Sequence, residues 1–295
     1  MSAPVSTRVE SGVLVVTIER PEARNAINTV TAEAIGAAMD RLDSETALVA
    51  GVITGAGGTF CAGMDLKAFL AGERPSIPGR GFAGIVERPP EKPLIAAVEG
   101  YALAGGFEIA LACDMVVAAE NARFGLPEVK RGLVAAGGGL MRLLQKVPPG
   151  IAQEWALTGD LVDARRAYEV GLVNRLTPPG EALPAALELA ATIAANGPLA
   201  VRATKRILRE APEWPAAQMF DLQRQISEER AAQAVEPTIS AQTEVVEKLK
   251  VGLNGMKQKL GELKSKRSEL LARAKTHGEA VKQGGGFKPQ IVEPR

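Results

Sequence analysis

GYALAGGFEIALACD, residues Gly100 to Asp114, is apolar at nearly every position, yet it holds a glycine pair at Gly105 and Gly106 and a single carboxylate, Glu108. A helix built from so many apolar residues must be buried. An unpaired charge inside it is costly, so Glu108 needs a partner or a task. Glycine at two successive positions lets main-chain N–H groups approach a ligand with no side chain in the way. A second stretch of this kind, VITGAGGTFCAGMDL (Val52 to Leu66), follows an apolar run that reads as a buried strand. Its Gly55, Gly57 and Gly58 fail the dinucleotide spacing G-x-G-x-x-G, since Thr59, Phe60 and Cys61 follow and Phe60 stands where the third glycine is needed, and no Walker lysine follows. A phosphate turn is therefore the weaker reading, and a pocket walled by Ala62, Gly63, Gly105 and Gly106 the more economical one.

Two loops that each end a buried strand and open a helix direct N–H groups and positive helix ends at one point, which suits an oxyanion. Reactions that build negative charge on a carbonyl oxygen gain roughly 3 kcal/mol from each well-placed donor. Glu108, one turn into the helix opened by Gly105, is then positioned to face the same cavity. A second acid, Glu128, stands in FGLPEVKRGL behind Pro127, which fixes the chain and removes a donor. Asp65 and Asp114 read more plainly, as a helix-start acid and a loop acid, and Cys61 and Cys113 as small core residues.

The chain has 295 residues, 46% of them hydrophobic, enough for one large or two modest domains with a substantial core. Lysine plus arginine (35) balance aspartate plus glutamate (34), which gives no reason to expect nucleic acid as a partner. Two cysteines make neither a disulfide framework nor a zinc spacing, the N-terminus MSAPVSTRVE lacks a signal pattern, and no metal site is expected. A reducing, cytoplasmic setting follows as the expectation. Every apolar run is broken well short of the roughly 18 residues a membrane helix needs, so no span is expected.

TRVESGVLVVTIERP predicts two short strands around Gly12, and residues 31–42 a helix. LVAGVITG, LIAAVEG and DMVVAAE read as buried strands, each followed by glycine-rich or helix-forming sequence, which makes the fold class α/β. Beyond about Pro148 strand signals nearly vanish and helices are predicted over 150–157, 164–170, 182–195 and 199–209. At AVEPTIS, Pro237 breaks the helical pattern, which sets a first domain at 1–235 and a linker at 236–240. Over 241–276, Val246, Leu249, Leu253, Met256, Leu260, Leu263 and Leu270 follow steps of three and four, with Arg267 in the missing place, which is a coiled-coil seam. Gly252, Gly255 and Gly261 each cost about 1 kcal/mol against alanine, so the helix calls for a partner helix. The glycine- and proline-rich tail 277–295 reads as disordered, with the sole histidine, His277, an exposed polar residue at its edge.

FCAGMDLKAF, ALAGGFEIALACD and FGLPEVKRGLVAAGGGLMRL, in that order and spacing, resemble the crotonase superfamily, and within it the enoyl-CoA hydratases, from about Val5 to about Glu229. The resemblance implies a ClpP/crotonase-like fold of repeated ββα units in two nearly perpendicular sheets with helices around them. It also implies trimers or dimers of trimers, an acyl-coenzyme A substrate and no separate cofactor. Carried onto this sequence, it places the oxyanion donors at the main-chain N–H groups of Met64 and Gly105 and the catalytic acids at Glu108 and Glu128. Arg24, Ala26, Ala62, Gly63, Asp65, Leu66, Lys67 and Gly106 would line the coenzyme A pocket. The presence of both acids favours hydration, or the reverse dehydration, over the isomerisation catalysed by relatives that keep only the second.

The family's usual closing helix and its AF-x-EKR-x-P ending are missing. In their place TEVVEKLKVGLNGMKQKLGELKSKRSELLARAKT resembles a coiled-coil segment of the phage shock protein A family, without that family's membrane-contacting start. Because closing helices cover the substrate site in the crotonase family, the alternative expectation is a coiled-coil scaffold with an impaired enzymatic core.

Overall fold

A computed structural model describes residues 3–283. The chain divides between Arg230 and Ala231 into two units. The first begins with the antiparallel hairpin β1 (Val5–Glu10) and β2 (Val13–Ile18), turned by Ser11 and Gly12 at positive φ, and continues into α1 (Thr29–Ser44), whose N-cap Asn28 accepts from the Thr31 N–H. Then come β3 (Ala50–Gly55), the short α2 (Leu66–Leu70), the small hairpin β4 (Ser76–Ile77) and β5 (Gly81–Phe82), β6 (Leu94–Val98) and β7 (Tyr101–Leu103). α3 (Gly105–Ala112), β8 (Met115–Ala119), β9 (Arg123–Gly125), α4 (Gly139–Lys146), α5 (Pro149–Thr158), β10 (Val162–Asp163), α6 (Ala164–Glu169) and β11 (Arg175–Thr177) follow. α7 (Ala182–Ala194), α8 (Pro198–Glu210) and α9 (Met219–Gln283) close the described chain.

Six strands form the main sheet in the order β1-β2-β3-β6-β8-β11, parallel except for the first pair, and β10-β9-β7 form a second sheet. Side chains alternate across the main sheet. Val13, Ala50, Val52, Ile95 and Val117 pack on one face under Ala182, Ala186 and Ala190 of α7, where a stripe of small residues every fourth position brings helix and sheet close. Leu14, Val16, Ile53, Leu94, Val98 and Val116 point to the other face, against α1 and α3. The three long buried strands and the four helices after Pro148 lie where the sequence predicts them. The second sheet is an addition to that reading, because strands of two or three residues are too short to show a period.

Cys61 and Cys113 are fully buried, and burial pushes both thiols up to about 12. Asp114 is more than a loop acid: Oδ2 accepts from the Leu94 N–H at 2.7 Å and from Lys205 Nζ at 2.6 Å, tying β6 to α8.

The second unit is the run of α9 beyond Arg230. Two boundaries read from the sequence are corrected here. Residues 236–240 are helical and not a linker: Pro237 removes one intrahelical donor, but alanine-, glutamate- and glutamine-rich sequence on both sides carries the helix across it. Residues 277–283 also belong to α9, which runs through Gly278; residues 284–295 of the expected disordered tail lie outside the described residues. No helix among the described residues is long and apolar enough to cross a membrane.

Candidate active site

The loop after β3 is stitched to β7. The Cys61 N–H donates to the Tyr101 carbonyl at 2.9 Å and the Leu103 N–H to the Cys61 carbonyl at 3.0 Å. This lays Gly63 against the start of α3, so closely that a Cβ there would lie 3.0 Å from the Leu103 carbonyl oxygen and 3.2 Å from the Gly105 nitrogen. Gly106 is tighter still, with a hypothetical Cβ 2.1 Å from the Cys61 carbonyl oxygen. Met64 follows Gly63 directly. Its N–H and that of Gly105, the first residue of α3, donate no hydrogen bond among the described residues. Two main-chain donors from neighbouring loops are therefore left without an acceptor among the described residues, one of them at a helix N-terminus.

The loop holding Met64 is braced from behind by Arg20, which the sequence reading did not single out, and by Asn25 of the RNAIN loop (Arg24 to Asn28), which the resemblance places along the coenzyme A pocket without giving it this role. Buried Asn25 donates to the carbonyls of Ala56 (2.8 Å) and Thr59 (2.6 Å). Arg20 donates to the Ala26 carbonyl and, at 2.9 Å, to Asp65 Oδ2. Asp65 caps α2 through the Lys67 and Ala68 N–H groups; its partial burial opposes ionisation, but those donors and Arg20 hold the carboxyl below its usual range. The RNAIN cluster, with Arg24 and Asn25 at positive φ, was the available signal. The Arg24 carbonyl accepts from the Ala62 N–H at 3.0 Å and Ala26 is buried, so both border the same loop. Leu66 and Lys67 stand exposed on α2 beyond it, at the outer edge of the predicted coenzyme A pocket.

All eight residues of α3 are buried, and Glu108 is only 4% exposed. Its Oε1 accepts from the N–H groups of Gly137 (2.7 Å) and Gly139 (3.0 Å), in the glycine run that opens α4. Burial pushes this carboxyl up, while the two N–H donors and the nearby Arg142 guanidinium pull it down, with a net rise. Arg142 braces the same glycine run: it donates to the Gly137 carbonyl at 3.4 Å and to the Val86 carbonyl. Gly137, Gly139 and Arg142 were in view in AAGGGLMRL, but nothing in a sequence pattern says that a loop 29 residues downstream will cap Glu108.

Glu128 is brought to Glu108 by β9. The Phe124 ring packs on Phe107 at 5.4 Å between centroids, and the Ala104 N–H donates to the Gly125 carbonyl at 2.9 Å, which locks the end of β9 to the start of α3. Three residues later Glu128 lies half-buried, its Oε2 enclosed and accepting no hydrogen bond among the described residues. Burial raises its carboxyl, its own N–H opposes this, and the charge of Glu108 raises it further. The charge of Glu108 thus adds to burial in favouring the protonated form of Glu128. The chemistry on offer is a pair of donors for an oxyanion beside a carboxyl pair able to give and take a proton.

A cavity of about 1060 Å³ lies at the opposite end of α3, between α4 and α8, and is lined by Cys113, Lys146 and Lys205 among others. Met64, Gly105, Glu108 and Glu128 do not border it, so it is a separate feature from this site. Among the described residues no three His, Cys, Asp or Glu side chains are grouped to hold a metal ion.

The chain matches the enoyl-CoA hydratase/isomerase family over residues 8–255. It is 44% identical over 224 residues to the enoyl-CoA hydratase EchA19 of Mycobacterium tuberculosis, covering 72% of this chain and 83% of that protein. It is 41% identical over 228 residues to the carnitinyl-CoA dehydratase of Proteus mirabilis, covering 76% and 87%. The crystal structure of an enoyl-CoA hydratase from Mycobacterium tuberculosis H37Rv superposes with a TM-score of 0.75 at 56% identity, covering 76% of this chain and 89% of that one. That of a carnitinyl-CoA hydratase from Mycobacterium avium gives 0.69 at 41% identity, covering 77% and 91%.

Proposed function

The chain belongs to the enoyl-CoA hydratase/isomerase family, and from that premise we propose that it adds water across the 2,3 double bond of an enoyl-CoA thioester, or removes it in reverse. The observation that carries the reading is Glu128 Oε2, a buried and unpartnered carboxyl oxygen next to a second acid whose own Oε1 is already held by two N–H groups. In this scheme the thioester oxygen accepts from the Met64 and Gly105 N–H groups, which makes C3 electrophilic and stabilises the enolate. Glu108, anchored through Oε1 and kept toward its ionised form by Arg142, turns Oε2 to a water and takes its proton as the hydroxyl bonds to C3. Glu128, whose carboxyl is raised by burial and by Glu108, gives its proton to C2, and the proton on Glu108 restores the pair. Both carboxyls present supports hydration over isomerisation. No resident cofactor enters, since coenzyme A comes with the substrate.

The same proposal assigns Arg24, Ala26, Ala62, Gly63, Asp65, Leu66, Lys67 and Gly106 to the coenzyme A side of the pocket. Phe82 is assigned to the acyl side, because its ring crowds Gly105, where a Cβ would lie 2.4 Å from Cε1. A cytoplasmic homotrimer or dimer of trimers is the assembly proposed, with 241–276 as a coiled-coil strand. The alternative of a scaffold with an impaired core predicts no turnover. The deciding experiment is crotonyl-CoA hydration followed by loss of enoyl absorbance: Glu128→Gln is expected to lower kcat by about 100-fold or more with little change in KM. Near-normal turnover in that variant would remove Glu128 from the chemistry.

A further inference from the structure

Among the described residues the seam of α9 from Val246 to Leu270 lies uncovered, its apolar members 47–67% exposed. Taking Val246, Leu253 and Leu260 as a positions and Leu249, Met256 and Leu263 as d, the flanking e and g positions can be read off directly. One flank carries Lys250, Lys257 and Lys264, the other Lys259, Lys266 and Arg273, and Arg267 stands at an a position within the seam. None of these places holds an acid: Glu244, Glu247, Glu262 and Glu269 all fall at b, c or f, on the outer face. Lys250 and Arg273 are each paired within the helix, to Glu247 and Glu269 at 2.7 Å, whereas Lys257, Lys259, Lys264, Lys266 and Arg267 make no ion pair among the described residues.

Charges at e and g choose the partner of a coiled-coil strand. A second copy of this helix is a poor choice in either direction. In parallel register Lys259 would face the copy's Lys264, and Arg267 would meet its own copy inside the seam; antiparallel pairing sets lysine rows against themselves. We propose that the seam is a docking surface for a helix of a different protein, apolar at steps of three and four, acidic at its own flanks, and with a carboxylate opposite Arg267. Lysine rows beside an apolar stripe also suit an anionic lipid surface, but the period argues for a helix. A stripe repeating every 3.5 residues drifts by about 20° per heptad on a straight helix, so from Val246 to Leu270 it swings through roughly 70°. A supercoiling partner follows that drift and a flat bilayer does not. The inference rests on reading 241–276 as a coiled-coil strand and is independent of the hydratase chemistry.

The test uses the full chain and three fluorescent synthetic peptides of about four heptads, the length of the seam. One has leucine at a and d, glutamate at e and g and aspartate opposite Arg267; one has lysine at e and g instead; one is the acidic peptide scrambled. Anisotropy should show the glutamate-flanked peptide binding at least ~10-fold more tightly than either other, the gap narrowing with salt. The Leu253→Asp/Leu260→Asp double variant should lose that binding and keep crotonyl-CoA turnover. Equal binding of the glutamate- and lysine-flanked peptides would overturn the charge selection. Equal binding of the scrambled peptide, or full retention in the double variant, would overturn the coiled-coil reading itself. Tighter uptake onto phosphatidylglycerol vesicles than onto the acidic peptide, or a fall in subunit number of the double variant on sedimentation, would give the seam to lipid or to a second copy and sink the proposal.

Discussion

Glu108 and Glu128 are both raised, yet they are held very differently, and this separates what each substitution should do. A carboxyl whose folded-state value is raised stabilises the fold in its neutral form; that contribution is complete below the ordinary value of 4.5 and is lost as pH rises through the folded value. Glu128→Gln, which keeps the neutral shape, should therefore unfold at a higher temperature than the parent chain at pH 8 and at the same temperature at pH 4, a difference that calorimetry at the two pH values reads directly. Glu108 differs because its Oε1 is an acceptor for two N–H groups that a mutation would leave weakly satisfied. Arg142 acts through it as a positioning residue. Arg142→Met removes the charge that favours ionised Glu108, so the acidic limb of the kcat/KM profile for crotonyl-CoA should move to higher pH, and Arg142→Lys should restore part of the shift.

At the scale of elements, the approach of the Cys61–Gly63 turn to α3 is the contact on which the donor pair depends. Gly106→Ala would place a methyl carbon 2.1 Å from the Cys61 carbonyl oxygen, which is backbone and cannot swing away. The expected result is a loss of about 1–3 kcal/mol of stability, typical of overpacking, together with a larger fall in kcat than the same stability loss causes at a core site remote from Met64; denaturant melts paired with turnover would separate the two. The glycines and acids of this element were legible in the sequence because an isolated carboxylate in an apolar helix violates burial rules. The long strands were legible through their apolar runs. β7, β9 and β10 were not, and neither were Arg20, Asn25 and Arg142, because each is a polar brace whose partner is fixed only once the chain has folded back on itself. Pro237 misled in the opposite sense: a local breaker was outvoted by its helix-forming neighbours.

For the whole molecule, both hydrophobic clusters and every group of the candidate site lie before Arg230, where Ile226 is still buried at 3% exposure. Deleting Ser240 to Arg295 should therefore leave crotonyl-CoA turnover and subunit number unchanged; a drop in the number of subunits per assembly on sedimentation would instead make α9 part of the homo-oligomer. The two cysteines give such work a convenient instrument. Since both thiols are buried and pushed up to about 12, they should react slowly with aromatic disulfide reagents, and a cysteine placed on the outer face of α9, as in Ser268→Cys, should take a dye well ahead of them. Cys61 belongs to the very turn that presents Met64. In a chain whose other cysteine is replaced, the rate at which Cys61 reacts is thus a clock for the opening of that turn in the candidate site, readable in a cuvette with no substrate present.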